Sequence, residues 1–166
     1  MSISMLVDPI TQGLVYGIMA LGVYLTFRIL DFPDLTVDGS FPLGAAVAAR
    51  LIVAGVSPLL ATLSAIFFGM MAGVITGVLN TKLKITGLLS GILTMTALYS
   101  VNLRVMGRAN IPLLGKATIF DLLKPLGLSK DMIILLSFLI VSLLAKFIID
   151  WFLQTELGLA LRATGD

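Results

Sequence analysis

A chain of 166 residues that is 58% hydrophobic and only 12% charged has too few polar side chains to cover a water-facing surface, so lipid must be its solvent. Its net charge of +2 comes from basic residues scattered singly, which argues against nucleic acid as a partner. With neither cysteine nor histidine, a disulfide framework, a thiolate or imidazole metal centre and a Ser-His hydrolase are excluded.

The first apolar run, residues 9–27, is 19 residues without a charge and is closed by Arg28. That is close to the roughly 20 helical residues needed to cross a bilayer core of about 30 Å. No Lys or Arg precedes Arg28 and no small-residue cleavage site stands out, so the run reads as a retained membrane helix, not a signal peptide. The polar connector "RILDFPDLTVDG" follows, with Pro33, Asp31, Asp34 and Asp38. Its carboxylates lack the glycine and glutamate spacing of an EF-hand, so no metal site is assigned. In "DGSFP", Asp38 reads as the N-cap of a second helix.

Residues 51–81 form a charge-free stretch of 31 residues, too long for one crossing at about 1.5 Å per residue. Gly55-Val56-Ser57-Pro58 carries the turn chemistry that divides it. The piece before, residues 39–55, is a short second helix containing Arg50; the piece after, residues 58–80, is a third, with Pro58 suited to its first turn. Gly69, Gly73 and Gly77 continue a four-residue period begun by Ala61 and Ala65, a stripe predicted to let a neighbouring helix approach closely. Gly13 with Gly17 and Gly87 with Gly91 repeat the spacing on the first and fourth helices.

The fourth helix, residues 85–106, is the most polar, with Ser90, Thr94, Thr96, Tyr99, Ser100, Asn102 and Arg104. Thr96, Ser100 and Arg104 recur every four residues and share a face. They either line a solute pathway, Arg104 offering its charge to a carboxylate, or bond back to their own helix while Arg104 snorkels to headgroups. Arg50 carries the same two readings. Residues 107–130 read as an ordered loop with a short interfacial helix at 119–123, and residues 131–152 as a fifth crossing, in which Lys146 and Asp150 stand four apart and can pair. The expectation is an all-α polytopic integral membrane protein with about five transmembrane helices, residues 1–166 forming a single transmembrane domain. No Walker loop or nucleophile–base pair is present in the sequence, so it reads as a non-enzyme with no cofactor of its own, and any work it does is powered from elsewhere.

The tail, "TELGLALRATGD", places Leu153, Leu157, Ala160, Leu161 and Thr164 on one side of a short helix that Thr155 and Glu156 can start. Such a helix suits a bilayer surface or a groove in a partner. "T-E-L-G-L-A-L-R-A" resembles the T-x-x-G-x-A-x-R-A coupling segment of ABC-importer permeases of the branched-chain amino acid and ribose type. "D-L-T-V-D-G-S", residues 34–40, is similar to the D-L-S-x-G-S stretch of the sugar branch, departing by one extra residue, Asp38. "FRILDFPDLTVDGSFPLGAAVAA" and "NTKLKITGLLSGILTMTALYSVNLR" resemble a subfamily of tryptophan/tyrosine-type permeases.

The resemblance covers nearly the whole chain and implies the N-terminal portion of a longer permease, cut inside its coupling segment, which begins at residues 153–166. It implies docking on a cytoplasmic ATPase through Thr155, Glu156, Gly158, Ala160, Arg162 and Ala163, with ATP-Mg held in that partner. It further implies a second permease subunit, as a homodimer, and an external solute-binding protein, for which residues 107–130 are the expected contact. The expected location is the plasma (inner) membrane with the N-terminus outside and the tail cytoplasmic; loop charges alone do not decide the orientation. The alternative is a fragment of an ion-coupled secondary transporter. Such carriers place carboxylates near mid-membrane, and no Asp or Glu lies deep in a predicted crossing.

Overall fold

The structure, a computed structural model, describes residues 4–126 and 129–165. Every regular element among the described residues is helical. α1 (Ser4–Tyr24) runs into a π-helical turn, Leu25–Ile29; α2 (Val37–Val53), α3 (Pro58–Thr81) and α4 (Gly87–Met106) follow. A 3-10 segment, Ile119–Leu126, precedes α5 (Lys130–Leu153) and α6 (Glu156–Gly165). Four stretches are long and apolar enough to cross a membrane: Leu6–Ile29, α3, α4 and α5. At 17 residues, α2 is about 25 Å long, the short limit for a crossing. The chain is thus an all-α polytopic membrane protein, with each predicted helix present and its ends shifted by a few residues.

Contacts gather the helices into two compact units, one of α2, α3 and α4, the other of α1, α5 and α6. In the first, Pro58 opens α3 and Gly107 closes α4 in the left-handed conformation, its N–H bonded to the Leu103 carbonyl. Thr36 meets Thr76 and Gly44 lies against Ala65, so α2 and α3 run antiparallel. Leu35 sits on Gly91, and Gly39 on Met95 and Leu98, so α2 and α4 run in the same direction. Leu43, Val47, Ala72 and Leu98 form the buried apolar centre, flanked by Leu51 and Val105.

α3 meets its neighbours through Ala61 and Ala65, where the predicted stripe begins, and then through Ala72 and Thr76, and not through the stripe's glycines. A Cβ built at Gly69, Gly73 or Gly77 finds nothing within 4 Å, and the same is true at Gly13 and Gly17 of α1. On α3 both the glycines and the Ala72–Thr76 pair repeat every four residues; the polar bond of Thr76 selects the face that turns inward. Thr76 Oγ1 lies 3.3 Å from the Ala72 carbonyl and 2.6 Å from Thr36 Oγ1. With the Thr76 proton on that carbonyl, Thr36 donates to Thr76, and both hydroxyls are satisfied in a buried place.

That bond also corrects the expected cap. Asp34 Oδ1 accepts the Thr36 N–H at 2.8 Å, setting a tight turn that starts α2 at Val37. Asp38 therefore falls inside the first turn, where its charge suits the helix dipole without capping it.

In the second unit, α1 and α5 lie side by side, and the Ser142 hydroxyl approaches the carbonyls of Phe138 at 2.7 Å and Leu14 at 3.4 Å. The end of α1 widens as Leu30 N–H bonds back to the Leu25 carbonyl and Phe32 N–H to that of Thr26. Lys146 and Asp150 form the expected pair on the exposed face of α5.

Candidate functional site: a groove along α4 and a capped terminal helix

The buried face of α4 is Ser90, Gly91, Thr94, Leu98 and Asn102. Ser90 and Thr94 return their hydroxyls to carbonyls of their own helix, Gly87 at 2.8 Å and Ser90 at 2.9 Å. Asn102 instead reaches across, donating from Nδ2 to the Gly39 carbonyl at 3.1 Å. Its Oδ1 is buried and has no hydrogen-bond partner among the described residues. Beside this contact runs a groove of about 490 Å³, with Asp38, Gly39 and Pro42 of α2 on one wall and Met95, Tyr99, Asn102 and Met106 of α4 on the other.

Of the three residues expected to line a pathway, Thr96 borders this groove, while Ser100 and Arg104 are exposed on α4. A four-residue step advances about 40° around a helix, so two steps carry Arg104 well away from the groove-facing side. Thr96 gives its hydroxyl to the Ile92 carbonyl at 2.8 Å, as the self-bonding alternative requires. Positions 95, 99, 102 and 106 alternate steps of four and three, which cancels that drift and keeps them on one stripe. Arg50 borders a second groove of about 490 Å³ walled by Phe67, Phe68, Met71 and Val101.

Gly39 stands within contact range of Met95 and Leu98, the ninth and twelfth residues of the 20-residue α4. Asp38 thus lies alongside the middle of a membrane-length helix. The sequence placed Asp38 in a polar connector outside the predicted crossings; the fold lays that connector against α4, with Leu35 on Gly91, the fifth residue of the helix.

The terminal helix is built from its own motif. Thr155 is the N-cap of α6: its Oγ1 accepts the Gly158 N–H at 3.3 Å and donates to the Phe152 carbonyl at 2.6 Å. Gly158 is buried, and a Cβ there would run into the Phe152 carbonyl and the Leu153 main chain. The T-x-x-G spacing is therefore the geometry of a tight reversal between α5 and α6. At the far end Gly165 sits on the Ile29 carbonyl, against the π-helical turn. Between these anchors Glu156, Leu157, Leu159, Ala160, Arg162 and Ala163 are exposed. Arg28, Asp31 and Arg162 share a cavity of about 380 Å³ there.

A family model described as the permease component of branched-chain amino acid transport systems matches residues 5–166. The chain belongs to that permease family. It is 45% identical over 161 residues, 97% of this chain and 52% of the relative, to a protein of Clostridioides difficile (strain R20291) named "Tyrosine transport system permease protein". It is 40% identical over 162 residues, 98% of this chain and 55% of the relative, to an uncharacterized protein of Rickettsia prowazekii (strain Madrid E). This permease chain thus spans about half the length of the curated relatives it matches. No solved structure matches it.

Proposed function

We propose that the chain is part of the transmembrane subunit of an ATP-binding-cassette importer. It carries a small solute, an amino acid or similar, across the plasma membrane, driven by ATP hydrolysis in a separate cytoplasmic subunit. What supports this beyond family membership is α6: a helix of 10 residues, fixed at both ends by glycine contacts, that leaves Leu157, Leu159, Ala160 and Ala163 exposed between Glu156 and Arg162. An apolar strip between opposite charges suits a groove in a partner, and its fastening to α5 transmits a push to the membrane. In this reading ATP-Mg belongs to the partner, the N-terminus is outside, and α6 is cytoplasmic. A second copy completes the pathway, and an external solute-binding protein delivers the solute to residues 107–130. The name of the Clostridioides difficile relative favours an aromatic amino acid as solute.

The deciding experiment reverses both charges, Glu156→Lys with Arg162→Glu, in the full-length permease reconstituted with its ATPase. Loss of uptake with membrane insertion intact is expected; unchanged uptake removes the docking role. A second reading, ion-coupled transport, is favoured by one observation, the place of Asp38 beside the middle of α4. It requires uptake driven by an ion gradient with no ATPase present.

A further inference from the structure

We infer that the groove between α2 and α4 is a subsite for the ammonium end of the solute, with Asp38 and Asn102 as its acceptors; this rests on the transport reading above.

Three observations converge. Asn102 is only 6% exposed, borders the groove, and carries an Oδ1 without a partner among the described residues. Its orientation is not free, because a flipped amide would set Oδ1 against the Gly39 carbonyl where Nδ2 now donates at 3.1 Å. A buried acceptor left open in a polar-poor place asks for a donor that arrives from outside the chain. Second, Asp38 is exposed on the same groove, and its carboxylate makes no hydrogen bond or ion pair among the described residues. An ionisable side chain beside the middle of a membrane-length helix marks a site of function more often than of packing. Third, no Lys or Arg lines the groove, so its only formal charge is negative. The Thr96 hydroxyl, its proton given to the Ile92 carbonyl, can only accept, the Tyr99 hydroxyl can serve either role, and both fixed preferences, Asp38 and Asn102 Oδ1, are for donors.

The remaining wall is apolar, from Pro42, Met95, Leu103 and Met106, and Tyr99, 67% exposed as a residue, presents its ring. A protonated amine can lie over such a ring as well as against Asp38, and an apolar body can rest on the thioethers. The volume of about 490 Å³ lies within the range of small-molecule pockets. The solute that fits is a primary ammonium with an apolar or aromatic body. A carboxylate finds no cationic partner in this groove, since Arg104 is turned to another side of α4.

The chain has no cysteine, so one introduced at Thr96 is a clean reporter within it. In the full-length permease, other cysteines replaced, Thr96→Cys is labelled by a charged thiosulfonate with three probes in turn: L-tyrosine, tyramine, and 3-(4-hydroxyphenyl)propionate. L-Tyrosine and tyramine are expected to slow labelling, and the propionate, which has the carboxylate but no amine, is not. Adding Asp38→Asn or Asn102→Leu is expected to raise the protecting concentration at least about tenfold, as loss of a charge-assisted or buried hydrogen bond does. Asp38 is exposed, so its variant keeps the test decisive should Asn102→Leu fail to fold. Equal protection by the propionate, protection unaltered in Asp38→Asn, or no protection by either amine overturns the inference. Should ATP-dependent uptake persist while the groove goes unprotected, the subsite alone is wrong. Should uptake need no ATPase, the importer reading is wrong whatever the groove binds.

Discussion

Asn102 donates its side-chain amide to the Gly39 carbonyl, and Gly39 is the residue whose lack of a Cβ lets α2 come that close to α4. An added Cβ would stand 3.0 Å from Leu98 Cβ and 3.1 Å from Met95 Cα, tighter than ordinary contact. The two residues, 63 apart in sequence, make one joint between parallel helices. It lies under the groove, so the acceptor Asn102 offers is positioned by the bond that it donates.

Asn102→Asp keeps the shape of that joint and turns its donor into an acceptor facing an acceptor. The expected loss of stability is about 1–3 kcal/mol, the usual penalty for a buried polar group stripped of its partner. Asn102→Leu loses the same bond without adding a second opposed oxygen, and its unfolding temperature should lie between those of Asn102→Asp and the parent. Thermal unfolding of the full-length protein in detergent, followed by circular dichroism, checks the order.

The two glycine settings separate just as clearly. Gly91→Ala would place its Cβ 2.8 Å from the Leu35 main-chain nitrogen, so either the connector or α4 must shift. Overpacking of this kind destabilises by about 1–3 kcal/mol. Gly73→Ala meets nothing within 4 Å and should leave the unfolding temperature unchanged or slightly raised, since alanine favours helix by up to about 1 kcal/mol. A marked drop for Gly73→Ala would put another helix against that face of α3.

How far the sequence was legible follows from what each signal measures. Charge-free length marked the membrane helices, and Gly55 through Pro58 marked the break between α2 and α3, because lipid and turn chemistry act locally. The face each helix turns inward is not local. The predicted stripe of α3 meets α2 at Ala61 and Ala65, but beyond them the inward face passes to Ala72 and Thr76, fixed by the Thr36–Thr76 bond between residues 40 apart, and leaves the glycines outside. The place of Asp38 beside the middle of α4 was hidden for the same reason: it depends on Leu35 finding Gly91 on another helix. On α4 the polar residues were visible, but choosing Thr96, Ser100 and Arg104 by a repeat of four ignored the drift that a repeat of four and three corrects. The tail fared best. Its motif resides in one short segment, and Thr155 with Gly158 does in the structure what a cap and a tight turn require.

That local reading gives the last prediction. Gly158→Ala leaves every exposed residue of α6 in place chemically, yet its Cβ has no room beside the Phe152 carbonyl and the Leu153 main chain. α6 must swing or unwind at its first turn. Thr155→Val keeps the side-chain shape and removes the oxygen that accepts the Gly158 N–H, a loss of about 1 kcal/mol confined to the same turn. If the full-length permease couples to an ATPase as proposed, then on reconstitution with it Gly158→Ala should abolish solute-stimulated ATP hydrolysis and uptake together, and Thr155→Val should reduce both by a few-fold while membrane insertion is unaffected. Adding Thr155→Val to Gly158→Ala should change little further, since both act on the one turn that carries α6. If instead Gly158→Ala transported normally, the ATPase would not be pushing on the membrane through a rigid α5–α6 corner, and the exposed strip of α6 would be an attachment without leverage.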